Sequence, residues 1–225
     1  MADERSDVVA HPSAEPSSAT DDSPLDAGDF GAWLAHLQGA LDGEHPSDVP
    51  CGTCTACCTS SQFVHIGPEE TDALAHIPRA LRFPAPGLPR GHVLLGYDER
   101  GHCPMLVDGA CSIYEHRPRT CRTYDCRVFP AAGIDVAEPD KARIARQVAR
   151  WRFAHPTEED DRRHEAVRNA ATYLAAHPDV LPGGPPSTST RRAVLAVEAH
   201  GAFMGRPDPS AREVRVALDR RAQTD

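Results

Sequence analysis

At 225 residues the chain allows one domain with appendages or two small ones, and 21 prolines with only 5% aromatic residues leave a modest packable core. A formal net charge of −9 and a pI near 5.7 are the reverse of the basic footprint a phosphate backbone requires, which excludes nucleic acid as the main partner. No apolar run approaches the roughly 18 residues of a membrane span, and the start Met1-Ala2-Asp3-Glu4-Arg5 lacks a secretory apolar region, so a cytoplasmic protein free of membrane is expected.

Residues 1–28, rich in Ser, Pro, Ala and Asp, bury too little apolar surface to offset chain entropy and read as a disordered tail. Asp29 then caps a helix in which Phe30, Trp33, Leu34, Leu37 and Leu41 recur at helical spacing and Gly43 marks the end. Its apolar stripe requires a partner. Phe63-Val64-His65-Ile66 reads as a strand, a short helix follows Gly67-Pro68 as far as Ile77, and Pro84, Pro86 and Pro89 make the next stretch a loop. Residues 92–97 and 102–107 read as a hairpin across Asp98-Glu99-Arg100-Gly101, and Asp108-Gly109 is a second turn that delivers Cys111. After Gly133 the pattern turns helical: Ile144, Val148 and Trp151 share a face, helices are expected over 160–176 and 191–204, and Ser210 caps a last one carrying Val214 and Leu218. Residues 181–186 form a Pro/Gly linker. The expected organisation is a tail (1–28), a cysteine-rich domain (29–132) and a helical region (133–225).

All eight cysteines fall between residues 48 and 130: Cys51, Cys54, Cys57, Cys58, Cys103, Cys111, Cys121 and Cys126. In a reducing compartment such density points to metal ligation, with disulfides, buried unligated thiols and Cys51-x2-Cys54 redox chemistry as minor alternatives. Two cysteines separated by two residues fold into a knuckle that aims both sulfurs at one metal. Adjacent Cys57 and Cys58 rarely enter the same small tetrahedron, so two interleaved four-sulfur sites are inferred, each drawing on both halves of the motif. One partition follows ferredoxin spacing, grouping Cys51, Cys54 and Cys57 with the remote Cys103-Pro104. Sulfur ligands suit Zn2+ and an iron–sulfur cluster alike, and the spacing leans slightly to the cluster. Four thiolates around Zn2+ leave a charge of about −2, which Arg117, Arg119, Arg122 and Arg127 are placed to offset. His102 and His116 read as hydrogen-bonding or surface residues, and Glu158-Glu159-Asp160-Asp161 as acids favouring a helix N-terminus.

The segments Cys51-Gly52-Thr53-Cys54-Thr55-Ala56-Cys57-Cys58, Cys103-Pro104-Met105-Leu106 and residues 109–126, with Cys111-Ser112-Ile113-Tyr114-Glu115 and Arg117-Pro118, closely resemble the YkgJ-like cysteine-cluster family. That family is described as a zinc- or iron-chelating domain, and its relatives include the flagellin lysine N-methylase. The resemblance covers residues 48–130 and implies a metal core on the eight cysteines. It leaves activity open: neither a Gly-x-Gly-x-x-Gly turn nor a Cys-x3-Cys-x2-Cys triplet is present.

The expectation is therefore an α+β protein with a small cysteine-rich metal-binding core of β-hairpins and short helices, flanked by α-helices. Tyr114 and Tyr124 pack around the core, which acts as a binding or regulatory module, and the C-terminal helices offer a surface to a protein partner. The alternative, from the resemblance, is an iron–sulfur-dependent protein lysine N-methylase.

Overall fold

The computed structural model describes residues 22–47, 49–181, 184–186 and 188–222. Most of the expected tail, residues 1–21, lies outside them, as does part of the linker at 181–186. The tail ends earlier than its composition suggests, because Leu25–Asp29 forms a strand, β1, pairing in parallel with β7 (Trp151–Ala154). Leu25 stands opposite Trp151 and Asp26 opposite Arg152. The ladder joins two segments more than a hundred residues apart.

Helix α1 (Phe30–Leu41) follows at once from Asp29 and buries Phe30, Trp33, Leu34 and Leu37, as their spacing predicts. Its partners are α6 (Glu158–Ala176) and α7 (Ser189–Ala199). Thr157 and Asp160 form a reciprocal capping box at the start of α6. The other oxygen of Asp160 accepts a 2.9 Å hydrogen bond from the backbone N–H of Gly31. A Cβ on Gly31 would lie 2.3 Å from that oxygen. Gly31→Ala will therefore separate the two helices and break the bond, lowering stability by about 2 kcal/mol, read as a fall in the thermal midpoint.

Helices α1, α4 (Val128–Ala132), α6, α7 and α8 (Ala211–Ala222) contribute to one buried cluster that includes Phe30, Trp33, Phe129, Trp151, Val167, Val197 and Phe203. The division expected at residue 133 falls inside this core. A second, smaller cluster gathers Val64, Ile66, Ala73, Ile77, Leu95, Met105 and Ile113. It lies under a three-stranded antiparallel sheet, β2 (Val64–Ile66), β4 (Val93–Leu95) and β3 (Arg82–Pro84), together with α2 (Thr71–His76). The architecture is α+β, with several small sheets among the helices.

The hairpin expected between residues 92–97 and 102–107 does not form: β4 pairs with β2 and β3 instead. Asp98 accepts from the backbone N–H groups of Arg100 and His102, closing a tight loop. The following backbone is already engaged, since Gly101 accepts from Ser61 N–H and Cys103 donates to the Cys58 carbonyl at 2.7 Å. The double-cysteine turn thus captures the segment that the hairpin would have used. The second expected turn does form, with β5 (Leu106–Val107) and β6 (Ala110–Cys111) joined through Asp108-Gly109. Pro84, assigned to a loop by its neighbours, ends β3. Trp151 leaves the face it was expected to share with Ile144 and Val148: α5 (Ala142–Val148) stops short of it, and Trp151 opens β7.

Against Phe30 lies the His164 ring, stacked at 4.2 Å, with its Nδ1 2.8 Å from Nε2 of His155. Burial first, then the charge of Arg168, depresses His164 to about 4. A histidine with a folded pKa below its unfolded value of about 6.5 stabilises the fold fully above pH 6.5 and loses that contribution as pH falls toward 4. Because the ring is only half-buried, we expect a loss of about 1–2 kcal/mol over that window. Urea midpoints at pH 7 and pH 4.5 for wild type and His164→Asn will show the difference shrinking in the variant.

Candidate metal centre

A turn in which Cys54 N–H bonds the Cys51 carbonyl at 2.9 Å opens the cysteine segment, and a 3-10 turn over Cys57–Thr59 carries the adjacent pair. The Ser60 hydroxyl, fully buried, donates to the Ala56 carbonyl at 2.7 Å and fixes that turn. Consecutive side chains on a tight turn leave in different directions, which sends Cys57 and Cys58 to different neighbours.

The electrostatics show which neighbours these are. Burial pushes Cys57 well above its ordinary value, and after burial the largest contribution comes from the charge of Cys126, followed by Cys51, then Cys58 and Cys54. Cys126 is pushed up to about 12 by burial and by Asp125, with Cys51 and Cys54 also facing it. Cys51, at about 11 through burial, feels Cys54. Cys58 is raised to about 11 by burial, then by Cys103 and Cys111, with Cys54 a smaller neighbour. Cys121 reaches about 12 through burial and the charges of Cys103, Cys58 and Cys111. Two groups emerge: Cys51, Cys54, Cys57 and Cys126, and Cys58, Cys103, Cys111 and Cys121. Packing divides them the same way, since Cys54 and Cys126 belong to the large helical cluster while Cys103, Cys111 and Cys121 pack on the small one.

This arrangement departs from the ferredoxin-type partition. Cys126, rather than Cys103, joins the first three cysteines, and Cys103 faces Cys58, Cys111 and Cys121. Backbone N–H groups of Met105 and Leu106 point at the Cys103 sulfur and oppose the rise that burial causes in its pKa. Such N–H···S contacts, two and three residues beyond the cysteine, are what a metal-binding knuckle uses to steady a thiolate.

Cys126 is held from both sides. Its sulfur accepts a 3.2 Å hydrogen bond from Trp151 Nε1. Its neighbours Asp125 and Arg127, only 3% and 6% exposed, form a 2.8 Å ion pair. Asp125 also accepts from Trp33 Nε1 at 2.9 Å and from the Ser47 hydroxyl, while Arg127 donates to the Ala27 carbonyl. β1, α1 and the segment before α4 are thereby joined directly around one cysteine. Sequence reasoning missed Trp33, Asp125 and Trp151 in this role. The charged residues flanking Cys126, just before the apolar Val128-Phe129, were the available signal.

Of the four arginines expected to offset thiolate charge, Arg117 lowers Cys51, Cys58 and Cys121, and Arg127 lowers Cys51. Arg119 donates instead to the Leu41 carbonyl, and Arg122 is felt by Asp72. Tyr114 is 57% exposed and stacks under Arg117, away from the role expected of it. Tyr124 is different. Its hydroxyl is buried without a well-formed hydrogen bond, Thr190 being near enough only to ease the upward shift that burial and the charges of Cys57 and Cys126 impose.

Residues 50–138 match a family model, CxxCxxCC, whose description reads "Putative zinc- or iron-chelating domain". This segment of the chain is similar to the CxxCxxCC domain. It spans about two-fifths of the sequence and contains all eight cysteines. No curated protein and no solved structure matches the chain. Among the described residues, no helix is long and apolar enough to cross a membrane.

The donor chemistry fits the metals that the family description names. Each group offers four thiols, the set that binds Zn2+ tetrahedrally or holds an iron–sulfur cluster. The orphaned hydroxyl of Tyr124, beside Cys57 and Cys126, fits a group that brings an additional acceptor.

Proposed function

We propose that the CxxCxxCC domain holds two four-thiolate metal centres, one on Cys51, Cys54, Cys57 and Cys126 and the other on Cys58, Cys103, Cys111 and Cys121. The observation that carries this reading is that Cys57 faces chiefly Cys126 and Cys51, whereas Cys58 faces chiefly Cys103 and Cys111. Loading exchanges thiol protons for metal and turns metal affinity into folding free energy. Bound there, the metal supplies cross-links among turns that have little apolar surface of their own. For structural zinc this amounts to roughly 10–16 kcal/mol.

Iron–sulfur clusters are the favoured occupants. Zn–S bonds of 2.3 Å place tetrahedral sulfurs about 3.8 Å apart. Among the described residues, the one set of three or more potential donors lying mutually within 4.8 Å contains no cysteine. No three described sulfurs therefore stand all within the reach of a single zinc ion, and a cluster, with its irons on an inorganic core, reaches further. The Trp151 N–H on Cys126 supplies a sulfur-directed hydrogen bond of the kind that tunes such a centre.

Anaerobic purification followed by iron, sulfide and zinc analysis tests the proposal. Two centres with stoichiometric iron and sulfide are expected; a colourless protein with two zinc ions would remove the cluster and keep the partition. Metal held by fewer than half of the cysteines would sink both. Tyr124→Phe refines the result. Removing an orphaned buried hydroxyl will stabilise the metal-free protein by about 1 kcal/mol, whereas in the loaded protein the same change will speed metal loss to a chelator.

A further inference from the structure

We propose that Asp72, His76 and His116 form a third, sulfur-free site that takes a labile divalent first-row cation such as Zn2+ or Fe2+. Asp72 and His76 lie on α2, one helical turn apart, and His116 arrives from the 3-10 turn Tyr114–His116 that packs against this helix. One ligand atom from each of the three lies within 4.8 Å of the others. His116 Nδ1 is 2.9 Å from one oxygen of Asp72, and His76 Nδ1 is 3.6 Å from the other. Bonds of 2.0–2.1 Å to a tetrahedral ion require donors about 3.3 Å apart, so both separations are already close to the edge that a metal imposes.

The two imidazoles are stacked face to face, with centroids 3.5 Å apart and planes within 4° of each other. This arrangement is more than a tether between α2 and the loop, because the His116–Asp72 contact alone would fasten the two. His76 adds a second nitrogen beside the same carboxylate; when its Nδ1 carries the proton it donates to the backbone carbonyl of Asp72 at 2.9 Å, a bond that a cation at Nδ1 would replace. Parallel rings at this distance repel if both are protonated. A cation between their Nδ1 atoms and the carboxylate removes that repulsion, each neutral ring carrying its proton on Nε2 instead.

The donor set also decides the chemistry. Two imidazoles and a carboxylate are harder than four thiolates and suit Zn2+, Fe2+, Co2+ or Ni2+ with open positions left for water. His76 and His116 are about 40% exposed and Asp72 is 68% exposed, so the ion exchanges freely with solvent. Low affinity and rapid exchange separate this site from the buried sulfur centres, and the assignment stands whichever metal those hold.

The test uses the full chain with its cysteine centres loaded as purified, titrated with Co2+. Wild type will bind one further equivalent at micromolar to submillimolar concentration. Its spectrum will show weak visible bands and no new sulfur-to-cobalt charge transfer. His116→Ala and His76→Ala will each weaken that step at least tenfold without changing the metal retained on the cysteines, and Asp72→Asn will do the same. His45→Ala, in the separate stacked pair His36–His45, will leave it unchanged. Failure of wild type to bind Co2+ below 1 mM would overturn the proposal. So would equal binding by the His76 and His116 variants, or new thiolate charge transfer in wild type. A variant that also lost its cysteine-held metal would overturn the claim that the site is separate.

Discussion

Cys57→Ser will empty one centre and Cys58→Ser, its immediate neighbour, will empty the other, so each variant is expected to retain about half of the wild-type metal. The sharper reading comes from doubles. Cys57→Ser combined with Cys126→Ser removes two ligands of a centre already lost and will add little to either single change. Cys57→Ser combined with Cys58→Ser will abolish both centres and the folded protein with them. Residues acting on one group couple strongly, whereas distant groups add. Metal content and urea midpoints of the set Cys57, Cys58, Cys126 and Cys111, taken singly and in pairs, measure this directly. Pairing of Cys57 with Cys111 instead of Cys126 would refute the partition.

The same partition explains how the metal-binding segment joins the rest of the molecule. Cys126 and Cys54 sit against the helical core formed by α1, α4, α6 and α7, while Cys103, Cys111 and Cys121 sit against the small sheet. Loss of the first centre will therefore loosen the helical core, and loss of the second will chiefly loosen β2–β4, β5 and β6.

What was readable in the sequence was local. The stripe Phe30, Trp33, Leu34, Leu37 gave α1, the acids Glu158-Glu159-Asp160-Asp161 marked the start of α6, and Asp108-Gly109 gave the turn before Cys111, because each is decided by residues a few positions apart. The adjacency of Cys57 and Cys58 likewise argued for two sites on steric grounds. Which cysteine completes each site was not readable, since that depends on long-range closure. Ferredoxin spacing pointed to Cys103, but the Cys58 carbonyl and the Asp98 loop draw Cys103 to the other group. The strand β1 was hidden for a related reason: Leu25-Asp26-Ala27-Gly28-Asp29 has no strand pattern of its own and is ordered by Trp151–Ala154, more than a hundred residues away. Asp72, His76 and His116 meet across forty residues of irregular chain, and His116 alone reads as an ordinary surface histidine.

Asp125→Ala is expected to cost about 3–5 kcal/mol, the second large effect, because it takes a hydrogen-bonded carboxylate away from a buried guanidinium. The Arg127 side chain is 7% exposed and makes bonds to both carboxylate oxygens of Asp125, so removing the acid takes away its charge partner without admitting water. Trp33 Nε1 and the Ser47 hydroxyl lose the same acceptor. Asp125→Asn will cost less, since the amide oxygen still accepts from Trp33. The informative comparison is the double variant Asp125→Leu with Arg127→Met. Replacing both members of a buried pair by apolar residues of similar size is often close to neutral, because the desolvation penalty of two charges disappears together with their attraction. If the pair serves stability alone, the double will recover most of the urea midpoint lost by Asp125→Ala. The pair also brackets Cys126 and ties it to β1 and α1, so the double is expected to recover folding while releasing metal from the Cys126 centre faster than wild type. Retention of both stability and metal by the double would show that Trp151 and the surrounding apolar side chains suffice to place Cys126.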